Sequence, residues 1–87
     1  MEARARVAWN LRRLRVEREL SQEMLAVDAD VDRGYVSGIE RQSFNPTVDL
    51  LDRLAAALSV DISALLQLPN PDSPPPNPMR GGRRSRG

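Results

Sequence analysis

Only three residues, Asp30, Val31 and Asp32, separate two segments whose apolar residues recur at helical spacing. Leu25, Ala26 and Ala29 precede this link, and Val36 and Ile39 follow it. A connection that short forces two helices into a steep angle, with Val31, its one apolar member, placed to plug the corner. The same period runs through Val7, Leu11 and Leu14 upstream, and through Val48, Leu51, Leu54, Ala55 and Leu58, then Ile62, Leu65 and Leu66 downstream. No alternating pattern competes. The spacing predicts a compact all-α domain of five short helices, at about 5–18, 22–29, 33–41, 48–58 and 62–67. Ser21, Asp32, Thr47 and Asp61 stand at four of the starts, where an acceptor side chain can take an unpaired first-turn amide.

A chain of 87 residues has room for one modest core and little room for a substrate cleft. It holds no cysteine and no histidine, which removes disulfides, the usual zinc ligand sets and the commonest nucleophile–base pairs. Asp28, Asp30 and Asp32 lie close together but have no nucleophile or imidazole beside them. The inventory therefore points away from an enzyme and implies neither cofactor nor metal. No apolar run approaches the ~20 residues of a membrane span, and the N-terminal stretch lacks a signal-peptide core. The expected location is the cytoplasm, with no membrane partner.

Charge is sorted along the chain. All 13 basic residues are arginine; residues 1–68 hold 9 of them against 11 acidic residues, net −2, and residues 69–87 hold 4 against Asp72, net +3. A slightly acidic folded part gives no bulk-charge argument for nucleic acid, so any such argument has to come from local geometry. Residues 69–87 also carry six of the seven prolines and three of the five glycines. That composition predicts a disordered tail, Pro-rich at first and Arg/Gly-rich at its end. It is either a solvated appendage, an arginine arm attracted to phosphates, or a docking peptide for a protein partner.

Residues 11–66 contain "LSQ" at 20–22, "YVSGIE" at 35–40 and "NPT" at 45–47 in one order and spacing. This pattern resembles the xenobiotic-response-element (XRE) type of helix-turn-helix regulator, the group of Cro and the lambdoid phage repressors. The resemblance implies a lambda-repressor-like DNA-binding domain over residues 5–68. It also implies a transcriptional regulator, nucleoid-associated, that binds double-stranded DNA in a sequence-specific way. The third helix would then be the recognition helix, with Arg33, Gly34, Ser37 and Gly38 on the face turned to the bases. Arg33 there can set its fork on a guanine, or instead meet a phosphate or a neighbouring aspartate. Gln22, Tyr35, Arg41 and Asn45 would contact the phosphate backbone. Arg15 and Glu40 resemble the family's partly buried ion pair, which ties the first helix to the third.

The chain also departs from that family. Where a left-handed glycine commonly ends the helices, it has Glu19, Asp30, Gln42 and Ser59, and only Asp30 suits that conformation. Met24 stands where an acidic partner of Ser21 would complete a capping box. Gly34 and Gly38 weaken the third helix, which predicts a backbone lying close in the groove and a Gly38→Ala variant that is more stable but binds less well. One half-site read by two or three side chains supplies too little affinity, so a homodimer on a palindromic operator is expected, with Trp9, Phe44, Leu50, Leu66 and Leu68 as candidates for the shared patch. The alternative is an antitoxin or adaptor whose helix-turn-helix serves a protein partner. An RNA-binding role through "RGGRRSRG" is disfavoured by a chain with one Trp, one Tyr and one Phe, too few for base stacking.

Overall fold

A computed structural model describes residues 1–69, so the expectation of a disordered tail lies outside the described residues apart from Pro69. Four α-helices follow one another: α1 (Ala3–Glu17), α2 (Gln22–Ala29), α3 (Arg33–Glu40) and α4 (Val48–Ala57). Each of the last three begins under a side-chain cap. Ser21 Oγ accepts from the Met24 amide at 3.0 Å, Asp32 Oδ1 from Gly34 at 2.7 Å and Thr47 Oγ1 from Leu50 at 3.0 Å. Each bond satisfies one of the amides that a helix start leaves without an intrahelical acceptor.

The fifth helix expected at 62–67 is corrected to a single 3₁₀ turn, Ile62–Leu65. Its start is capped as the others are, with Asp61 Oδ2 accepting from the Ser63 amide at 2.9 Å. Continued as an α-helix it would leave the Leu65 carbonyl without its usual donor, because the amide that would reach it belongs to position 69, a proline. Buried Asn10 on α1 serves that carbonyl instead, its Nδ2 donating to Leu65 at 3.1 Å and to the Gln67 carbonyl at 2.8 Å. Arg6 Nη1 donates to the Leu66 carbonyl between them at 3.3 Å. The end of the domain is therefore pinned to α1 by side chains rather than by a helical ladder.

The core gathers one stripe from every element. Leu11 of α1, Leu25 of α2, Val36 of α3, Leu54 of α4, Leu58 just beyond it and Leu65 of the 3₁₀ turn are completely inaccessible. α2 packs against α3 and α4, α1 packs against α3 and the 3₁₀ turn, and α4 also reaches that turn. Among the described residues no helix is long and apolar enough to cross a membrane.

All four helix ends adopt the left-handed conformation without glycine: Glu19, Asp30, Gln42 and Ser59 have φ between 56° and 61°. The residue after each donates its amide five residues back, Leu20 to Arg15, Val31 to Ala26, Ser43 to Gly38 and Val60 to Ala55, at 2.9–3.1 Å. These are Schellman closures, and they hold the strained residue in place. Three of the four closing residues, Leu20, Val31 and Val60, also pack against the core. Left-handed geometry costs a non-glycine residue about 1 kcal/mol. Glu19→Gly and Ser59→Gly, both exposed, should therefore each raise stability by up to about 1 kcal/mol, or roughly 4–8 °C in Tm. Thermal melts of the single and double variants check this; unchanged or lower melting temperatures would contradict it.

Candidate nucleic-acid interface

The helix pair α2–α3 turns at the three-residue link. Val31 is half-buried against the core, as its place in the corner requires, and Asp30 and Asp32 are occupied in closing α2 and opening α3. Arg53 Nη1 from α4 donates to the Asp30 carbonyl at 3.3 Å, bracing the turn from behind.

The end of α3 is held by a buried charge cluster. Arg15 donates from Nε to Glu40 Oε2 at 2.7 Å and from Nη2 to Glu40 Oε1 at 2.9 Å, while its Nη1 takes the Leu20 carbonyl at 2.9 Å. Glu40 Oε1 also accepts Arg12 Nε at 3.1 Å and Gln22 Nε2 at 3.2 Å. One carboxylate thus ties α1 and α2 to the last residue of α3. Burial pushes the Glu40 carboxyl up, but the hydrogen bonds and charge of Arg15, with the bonds from Gln22 and Arg12, outweigh it and hold the group below the ordinary carboxylate range.

At the other end of α3, Arg33 is exposed and makes no salt bridge among the described residues; in particular it does not pair with a neighbouring aspartate. Gly34 is exposed beside it, and Ser37 is half-buried one turn on. Tyr35 is 45% exposed and stacks on Phe44, ring centroids 4.8 Å apart and planes 13° from parallel. Arg41, between the two rings in sequence at the end of α3, and Asn45, directly after Phe44 in the loop before α4, are exposed. Gln22 is half-buried, one of its amide protons already engaged by Glu40.

A helix-turn-helix family profile matches residues 11–65. The chain belongs to the helix-turn-helix family, in its XRE type. Within that family it is 37% identical over 60 residues to the immunity repressor protein of Bacillus phage phi105, covering 69% of this chain and 42% of the repressor. It is 41% identical over 68 residues to a Neisseria meningitidis hypothetical transcription factor, covering 78% of this chain and 64% of that protein. The chain therefore spans less than two thirds of the length of either relative. A crystal structure of the hypothetical transcription factor NHTF from Neisseria matches with a TM-score of 0.76 at 41% identity, over 78% of each chain. The restriction-modification controller protein C.AhdI from Aeromonas hydrophila matches with a TM-score of 0.69 at 37% identity, over 71% of this chain and 94% of that one.

Two details of this helix-turn-helix domain differ from the sequence-based expectations. Gly38 does not lie on an open face with Gly34: it is buried under the loop that follows α3, where Ser43 Oγ donates to its carbonyl at 3.3 Å. A Cβ at Gly38 would stand 3.0 Å from Phe44 Cβ. The glycine therefore makes room for the loop that carries the Tyr35–Phe44 stack. Phe44 and Leu50, expected in a symmetric surface patch, pack against the core instead, whereas Leu66 and Leu68 remain exposed. Overpacking against an atom so near the backbone costs about 1–3 kcal/mol, more than the ~0.5–1 kcal/mol that alanine gains over glycine in a helix. Gly38→Ala should accordingly lower the melting temperature, by several degrees, rather than raise it. A thermal melt decides the sign, and a more stable variant would restore the open-face reading.

The residue that sequence reasoning passed over is Arg12. Its signal was present, because Arg12 and Arg15 are three apart and share one face of α1.

Proposed function

We propose that this chain is a sequence-specific DNA-binding transcriptional regulator that reads a palindromic operator as a homodimer, with α3 in the major groove. The observation that carries the reading is the Arg33 fork, exposed and without a salt bridge among the described residues, at the N-terminal end of a helix whose other end is locked by the Glu40 cluster. A rigid helix presenting an unpaired guanidinium suits bidentate reading of guanine O6 and N7. Ser37 follows on the same face. Gln22, Tyr35, Arg41 and Asn45 would grip phosphates on either side and so set the register without reading sequence. The names of the phage repressor and the controller protein are consistent with such a regulator.

A second copy is required because a single half-site gives too few base contacts for a selective site. The exposed Leu66 and Leu68, beside the pinned end of the domain, are the candidate patch for it. The competing reading, an adaptor or antitoxin that binds protein, draws on exposed Met24 and Val27 along α2.

Selection of bound duplexes from a random library separates the two. The regulator should enrich an inverted repeat with half-sites about 10 bp apart, centre to centre, or a multiple of that. A library that converges on nothing would favour the protein-binding reading.

A further inference from the structure

We propose that Arg12 is a further phosphate-binding residue, set beside Gln22 by the one carboxylate oxygen that both of them use. This rests on the reading of the domain as a DNA binder and extends the interface to a residue of α1.

Arg12 Nε and Gln22 Nε2 donate to the same atom, Glu40 Oε1, at 3.1 and 3.2 Å. Their donor nitrogens can be no farther apart than those two bonds laid end to end. Charge divides unevenly within the cluster. The Glu40 side chain is 0% exposed and that of Arg15 2% exposed, so these two form a sealed pair whose unit charges cancel. Arg15 engages all three of its nitrogens, the third through the Leu20 carbonyl, and its burial keeps its remaining N–H groups from any outside anion.

Arg12 then brings a second positive charge to a carboxylate that is already matched. Its side chain is 32% exposed, and its two terminal nitrogens donate to no acceptor among the described residues. A guanidinium has five N–H donors in a planar fork, and Glu40 uses only the one on Nε. The four on the terminal nitrogens are left to meet an anion edge-on, the geometry in which arginine binds phosphate through two parallel bonds. Beside them Gln22 keeps its second amide proton. Glu40 thus acts as a buried buttress that orients two donors from different helices toward one outside acceptor. The net charge at that point is positive, although residues 1–68 are net negative.

The test compares Arg12→Gln with the wild-type chain, on the operator the wild type selects and on a scrambled duplex of equal length. Losing a phosphate contact should reduce the slope of log affinity against log salt by about 0.9 for each bound protomer. Affinity for the two duplexes should fall by the same factor, with base preference unchanged. Arg12→Lys, which keeps the charge, should retain most of the slope. The melting temperature of Arg12→Gln should stay within a few degrees of wild type, because Arg15 and Gln22 still satisfy Glu40. An unchanged slope in Arg12→Gln, with or without a fall in melting temperature, would overturn the proposal and leave Arg12 a structural partner of Glu40, while wild-type selectivity would leave the regulator reading intact. A wild-type chain that selects no DNA would instead overturn that reading and this inference with it.

Discussion

Replacing Glu40 with alanine is expected to destabilise the domain by about 3–5 kcal/mol, because it strands the Arg15 guanidinium in the interior without its counter-charge. Arg12 and Gln22 lose their shared acceptor in the same step. Since small domains are stable by about 5–15 kcal/mol in total, the variant should lose a large fraction of its stability. The expected pattern identifies the cause. Removing both partners together, as in Arg15→Met with Glu40→Leu, should cost less than removing Glu40 alone, because no buried charge is left over. The pH dependence has a definite sign. The folded-state pKa of Glu40 lies below its unfolded value, so the cluster contributes its full stability above the unfolded pKa and loses it as pH falls through the folded one. Urea titrations of the three proteins, repeated from neutral to acid pH, measure all of this. A Glu40→Ala variant within 1 kcal/mol of wild type would show that the cluster does not hold α3.

Arg33→Ala should leave the melting temperature nearly unchanged, since the side chain is exposed and forms no salt bridge among the described residues, yet weaken operator binding strongly. A bidentate arginine–guanine contact is worth about 1–3 kcal/mol of discrimination, so the loss should be roughly 5- to 150-fold per half-site and confined to one base position. Substituted operators would then bind the variant as well as the original does. Gln22→Ala provides the contrast: it should weaken every duplex by a similar factor, because a phosphate contact carries no base information. Binding isotherms against a panel of single-base operator variants separate the two. Equal loss of preference from both substitutions would contradict the division of labour along the helix pair.

Much of the fold was legible because its determinants are local. Ser21, Asp32, Thr47 and Asp61 each act within three residues of themselves, and each caps where its position implies. Val31 was readable as a corner residue because a three-residue link leaves an apolar side chain nowhere else to go. What the local pattern missed depends on contacts made across the fold. The 3₁₀ turn looked like a fifth helix because Ile62, Leu65 and Leu66 have helical spacing; its true form depends on Pro69 and on Asn10, 55 residues upstream of Leu65. Gly38 looked like a device for approaching DNA because a helix offers no local use for glycine. The actual neighbour, Phe44, arrives from the following loop. Arg12 was passed over for a related reason. Its tie to Glu40 crosses 28 positions and is made only when α1 and α3 pack together. The proposed base-reading and phosphate roles depend on a partner molecule, and no regularity within one chain displays them.

Methylation interference on the selected operator tests most directly whether α3 reads the major groove through Arg33. Methylating guanine N7 blocks an acceptor exposed only in that groove. In each half-site, one guanine should abolish wild-type binding when methylated and have little effect on Arg33→Ala, whose residual affinity comes from the backbone. An operator that the wild type binds equally well with every guanine methylated would contradict major-groove recognition by Arg33.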